Sequence, residues 1–251
     1  MNNHWPCLHR FLLSGLALLA MTGAPLNAFS DDNQVHLIST EISGGQLEIK
    51  DGKYVGAYPV FFERAASQSA TKIKYRIVPW ARAVRETERS DKFLLFPFTR
   101  TPEREKQFTW LVKLNEDPMC FASVSEPANT IAAARELKRV IVWRGTSNQA
   151  FLEKQGFQNL IIVSSMEKIR RILKTAPKAA WYTVCEQAKT FPDPAKSDIA
   201  LKIGDPVSSE VMWLVGGKSL KRTPDIDKLA GTIKILEKTR LLRKLLDEAN
   251  Q

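Results

Sequence analysis

The stretch FLLFPFTRTPER, residues 93–104, joins a short apolar run to a turn crowded with hydroxyls and charge. Phe93, Leu94, Leu95 and Phe96 predict a short buried strand, bounded by turn signals. Past it stand Thr99, Thr101 and Arg104. A guanidinium offers a fixed fork of N–H donors that matches a carboxylate. Thr99 and Thr101 add hydroxyls and amides to the same turn. The same residues also suit a solvated turn in which Arg104 pairs with Glu103 or Glu105. The flanking sequence is what bears on the choice.

Working outward, strand and helix signals alternate. Residues 35–39 and 72–78 read as strands, and 47–54 as two extended pieces around the turn signal Asp51-Gly52. Residues 59–69, opening on Pro59, and 80–88, after Pro79, read as helices. Beyond the opening stretch, strands are expected at 140–143, 160–163, 179–184 and 211–215. Helices are expected at 148–155, closed by Gly156, at 166–174, briefly near Glu186, and over 226–248 with a break near Gly231. Repeated strand–helix–strand units predict parallel sheets with helices on both faces. They form two blocks, 34–115 and 118–207, and the last strand and helix must join one of them. The segments LNEDP (114–118) and DPVSS (205–209) are candidates for a paired hinge. In open α/β sheets ligands sit beyond the carboxyl ends of strands, so the site is expected between the two blocks. There the turn Gly145-Thr146-Ser147, before a helix, would offer free N–H groups opposite Arg104; simple N-capping explains Thr146 and Ser147 equally well. Trp80 either lines that cleft or packs beneath the neighbouring strand.

The N-terminus reads as a leader. Residues 11–21 form an apolar core of signal-peptide length, too short to span a bilayer, and Leu26-Asn27-Ala28 is a usable cleavage site. Removing 1–28 takes away Arg10 and no acid, so the net charge falls from +10 to +9. Export makes nucleic acid an improbable partner for that excess, which is spread along the chain without a block of like charge. Cys120 and Cys185 remain as a possible disulfide or as two buried thiols. His36 is the only histidine left, which excludes Cys/His metal spacing and leaves no Ser-His-Asp triad in sight. No Gly-x-Ser-x-Gly, phosphate-loop, His-Glu-x-x-His or Gly-x-Gly-x-x-Gly signature occurs. No cofactor, metal or catalytic residue is expected.

Four motifs in order, Asp51-Gly52-Lys53-x-x-Gly56, Val78-Pro-Trp-Ala-Arg-Ala83, Thr99-Arg-Thr-Pro-Glu-Arg104 and Arg144-Gly-Thr-Ser147, resemble the family 3 periplasmic solute-binding proteins, the polar amino-acid-binding components of ABC importers. The resemblance implies an α/β fold of the periplasmic-binding-protein type II, with two α/β lobes joined by a two-segment hinge that closes on ligand. Lobe 1 would comprise 29–116 and 209–251, and lobe 2 117–208. It implies a periplasmic, monomeric binding protein with an ABC permease as partner and a small carboxylate-bearing ligand. Arg104 would clamp the ligand carboxylate, with Thr99, Thr101, Thr146 and Ser147 beside it and Trp80 as a wall. Three positions depart from the family pattern. WYTVCE (181–186) lacks the usual acid for the ligand's ammonium, Gly44-Gly45-Gln46-Leu47 replaces a stacking aromatic, and Val60 replaces a common Asp. These departures leave room for a sensory or partner-binding relative, or for a cleft enzyme of dehydratase type built on Glu186.

Overall fold

The computed structural model describes residues 34–191 and 199–249; the leader expected over 1–28 lies outside the described residues. The first half of the chain runs β1 (Gln34–Ser39), β2 (Glu48–Lys50), β3 (Lys53–Val55), α1 (Ala57–Ser69), β4 (Lys72–Ile77), α2 (Trp80–Arg89) and β5 (Phe93–Thr99). Then come β6 (Phe108–Ser123), α3 (Ile131–Arg135), β7 (Arg139–Trp143), α4 (Ser147–Lys154), β8 (Leu160–Val163), α5 (Met166–Thr175), β9 (Ala179–Val184) and α6 (Cys185–Lys189). The chain closes with β10 (Lys202–Ile203), β11 (Ser208–Gly217), α7 (Pro224–Lys238) and α8 (Leu241–Ala249).

One sheet runs through both blocks in the order β4-β1-β5-β11-β6-β9-β7-β8, with β10 paired to β6. Its wings are parallel: β1 pairs β4 and β5, and β7 pairs β8 and β9. Its centre is antiparallel, where β11 lies between β5 and β6 and β6 pairs β9. Parallel sheets alone were expected. The antiparallel centre arises because the residues taken as connections are strand. Residues 114–118 lie inside β6, and β11 starts at Ser208. The two pair from Ser208↔Met119 to Gly217↔Phe108. Paired backbone groups satisfy one another there even though the side chains are polar.

Four apolar clusters build the core of the described residues, and the two largest flank this crossing. In the first, Phe61, Phe62 and Ala65 of α1 pack on Leu94 and Phe96 of β5, Leu214 of β11 and Leu229 and Ile233 of α7. The Phe62 and Phe96 ring centroids are 4.5 Å apart, an aromatic contact that adds to area burial worth about 1.5–3 kcal/mol per large apolar side chain. In the second, Met119 and Phe121 of β6 meet Val140 and Val142 of β7, Leu152 of α4 and Tyr182 of β9. Strand β6 thus passes from the first core, through Val112 and Leu114, to the second.

Local signals explain most boundaries. Asp51 and Gly52 both have positive φ, 50° and 72°, as a two-residue hairpin turn between β2 and β3 requires. Helix α1 starts two residues before Pro59, whose missing N–H costs nothing in a first turn that has no intrahelical acceptors. The C-terminal helical stretch does not break at Gly231. That residue sits inside α7, with nothing within 4 Å of where a Cβ would be. The break falls at Thr239-Arg240, where Arg240 takes φ 56° and separates α7 from α8. Cys120 and Cys185 are free buried thiols, so the possible bridge is not formed. They touch: the hydrogen bond between them, aided by burial, pushes the Cys120 thiol up, and the same bond draws Cys185 down against the effect of its burial.

Candidate functional site

Strand ends and turns from both cores converge on a cavity of about 160 Å³. Trp80 and Arg104 enter from one side and Trp143, Thr146 and Ser147 from the other. Asp117 and Glu210 lie at the strand crossing. Among the described residues no cluster of His, Cys, Asp or Glu suits a metal ion, and no helix is long and apolar enough to cross a membrane.

The opening turn resolves clearly. Glu105 is taken by Arg100, whose Nε donates to it at 2.7 Å while the guanidinium lies 5.2 Å from the Trp110 ring and 5.0 Å from that of Trp213. Arg104 instead turns inward. Its guanidinium carbon sits 4.2 Å from the Phe98 ring centroid, Nη1 donates to the Thr99 carbonyl at 3.1 Å, and Nη2 reaches the Gly145 carbonyl at 3.3 Å. Burial pulls its pKa below the usual guanidinium value, against the opposing influence of Glu210 and Glu103; an arginine remains charged regardless. Trp80 Nε1 donates to the same Gly145 carbonyl at 3.4 Å. Residues of the first block therefore reach across to one carbonyl of the second. Gly145 exposes that carbonyl from a left-handed turn (φ 72°) before α4.

The remaining candidates separate. The hydroxyl of Thr146 donates to the Trp143 carbonyl at 2.7 Å and accepts from Gln149 N, so Thr146 caps α4 as well as lining the cavity. Thr101 does not line this cavity. It borders an adjoining one of about 470 Å³ with Arg100, Lys154 and Trp213, and its hydroxyl bonds Glu103. On β9, Trp181 and Thr183 line the cavity while Tyr182 points into the second core, where its hydroxyl meets Ser208 Oγ at 2.7 Å. Glu186 does not line the cavity and pairs with Lys189 at 2.6 Å; the neighbouring Gln187 does line it.

Three acids that line the cavity, Glu41, Asp117 and Glu210, escaped the sequence reading. Asp117 and Glu210 are direct cross-strand partners in the β6–β11 ladder. Asp117, 5% exposed, accepts from Asn115 Nδ2 and from Arg243 of α8, both at 2.8 Å. Burial raises its pKa; Arg243 and Asn115 pull against that. Glu210 Oε2 accepts from Thr99 Oγ1 at 2.7 Å and Ser147 Oγ at 2.8 Å. Burial raises the Glu210 pKa too, opposed by those hydroxyls and Arg104 and assisted by Asp117. Their signal was present as acids in both candidate hinge segments or beside them, but the pairing joins residues 93 apart in sequence.

No family model matches the sequence, and no curated protein is significantly similar to it. Solved structures are. An arginine-bound amino acid ABC transporter substrate-binding protein, AbpA from Streptococcus pneumoniae Canada MDR_19A, matches over 87% of this chain and 94% of its own, with a TM-score of 0.69 and 15% identity. The arginine-, lysine-, histidine-binding protein ArtJ from Geobacillus stearothermophilus matches over 87% of this chain and 100% of its own, at TM-score 0.70 and 16% identity. A histidine kinase sensor domain with similarity to periplasmic binding proteins matches over 86% and 95%, at TM-score 0.73 and 11% identity. The chain thus has the type II periplasmic-binding-protein fold, shared by transport proteins and a sensor domain alike.

Proposed function

We propose that this chain is an exported solute-binding protein that captures a small carboxylate-bearing ligand, an amino acid or analogue, for an ABC importer. The observation that carries the reading is the cavity bridged by Arg104, whose guanidinium is held by backbone carbonyls from two blocks of the chain. The lobes in this reading are 29–116 with 209–251, and 117–208, and closure brings Trp80, Thr99 and Arg104 against Thr146 and Ser147. Export rests on the leader at 1–28, and N-terminal sequencing of periplasmic protein tests it. Calorimetric titration with amino acids, dicarboxylates and short peptides tests the binding reading. For whichever solute binds, Arg104→Ala should weaken affinity by about 2–5 kcal/mol, the cost of truncating one partner of a buried charged pair. Unchanged affinity would remove Arg104 from the site.

A sensory or partner-binding role is the second reading. It is favoured by Glu186, which is engaged by Lys189 outside the cavity and so does not supply the family's ammonium-binding acid. The same placement takes Glu186, the acid on which the dehydratase alternative was built, out of the cavity. Stimulation of a purified importer's ATPase by the loaded protein separates transport from sensing.

A further inference from the structure

The donors that a carboxylate ligand would use are already engaged by a carboxylate. Thr99 closes β5 and Ser147 opens α4, on opposite sides of the cavity, and both donate to the same oxygen of Glu210. Arg104 adds its charge to that carboxylate. The acid stands directly across the ladder from Asp117, a pairing of like charges that disfavours a sheet. Asp117 is compensated separately by Arg243 and Asn115. Glu210 is compensated only by the clamp residues among the partners described. A neutral side chain at 210 would avoid the repulsion, so the sheet itself does not call for an acid there.

We propose that Glu210 is the clamp's built-in occupant: its carboxylate ties Thr99 to Ser147 across the cavity, holds the cleft shut without solute, and must withdraw before a solute carboxylate takes those hydroxyls. Glu210 then determines specificity, because only a solute that outcompetes a tethered carboxylate gains the site. Calling the displaced group a stand-in for ligand rests on the solute-binding reading. The latch itself does not.

The test uses the mature chain with no solute added. Spin labels at Glu88→Cys and Lys168→Cys, both exposed, report the separation of α2 and α5 by pulsed dipolar spectroscopy. The parent should give one short-distance population. Glu210→Ala should shift the closed-to-open ratio by about tenfold, the size of one charge-assisted hydrogen bond, and 100 mM acetate, against a chloride control, should restore the short population by refilling the clamp. Ser147→Ala should open the chain as well, which keeps the test decisive if Glu210→Ala fails to fold. Distances unchanged in the variants, or an acetate response equal in parent and Glu210→Ala, would overturn the latch. Failure of every solute titration with the latch intact would instead count against the solute-binding reading alone.

Discussion

Arg243→Ala probes the strand crossing from its far side. Arg243 on α8 donates to Asp117 Oδ1 at 2.8 Å and also to the Glu116 carbonyl, and the Asp117 side chain is 8% exposed. Truncation leaves a buried carboxylate with one described donor, Asn115 Nδ2. Removing one partner of a buried pair costs about 3–5 kcal/mol; the retained Asn115 bond places this variant near 3 kcal/mol. For a chain of this size that is a fall in Tm of roughly 6–12 °C. The sign with pH follows from Asp117, whose folded pKa burial already raises and Arg243 restrains. Without Arg243 it rises further, so the fold favours the protonated acid. The deficit is then largest above the folded pKa and shrinks as pH falls toward the ordinary carboxylate range. Urea unfolding at pH 7.5 and 5.5 measures this, and Asp117→Asn in the Arg243→Ala background should recover most of the loss by removing the unpaired charge. A cost below about 1 kcal/mol, typical of an exposed pair, or an equal cost at both pH values, would refute the argument.

Other outcomes follow from single contacts. Thr146→Ala removes the cap of α4 and should cost about 1 kcal/mol by urea unfolding. Gly217→Ala would set a Cβ 2.2 Å from the Thr87 carbonyl at the end of α2; about 1–3 kcal/mol of lost stability is expected from such overpacking. Cys120 and Cys185, buried at 0% and 6% exposure, should react with a thiol reagent only slowly in the native chain and readily in urea.

Much of the architecture was legible because it is local. The Asp51-Gly52 turn, the Pro79 entry to α2 and the Gly156 stop after α4 each act within a few residues. The crossing was not legible. Asn115-Glu116-Asp117-Pro118 carries the composition of a turn, and only its pairing with β11 makes it strand. The helix break was misread because glycine is the stronger breaker on propensity, yet Gly231 lies in open space where its flexibility is tolerated, while Arg240 takes the left-handed conformation. At the site, Arg104, Thr99, Ser147 and Trp80 could be singled out because each sits beside a turn or helix start. Glu210 could not, since what distinguishes it is the company it keeps in space.

The antiparallel β6–β11 ladder has a mechanical consequence. A hinge made of loops swings freely about a few dihedrals. Two hydrogen-bonded ribbons instead behave as a torsion spring, stiff to in-plane bending and compliant in twist. Pairing is regular from Ser208↔Met119 to Met212↔Asn115, and the register shifts lie beyond, between Met212 and Trp213 and between Leu214 and Val215. If the two proposed lobes open, this ribbon winds or unwinds as a whole. The amides along it should therefore stay protected from exchange even in a chain whose cleft is open.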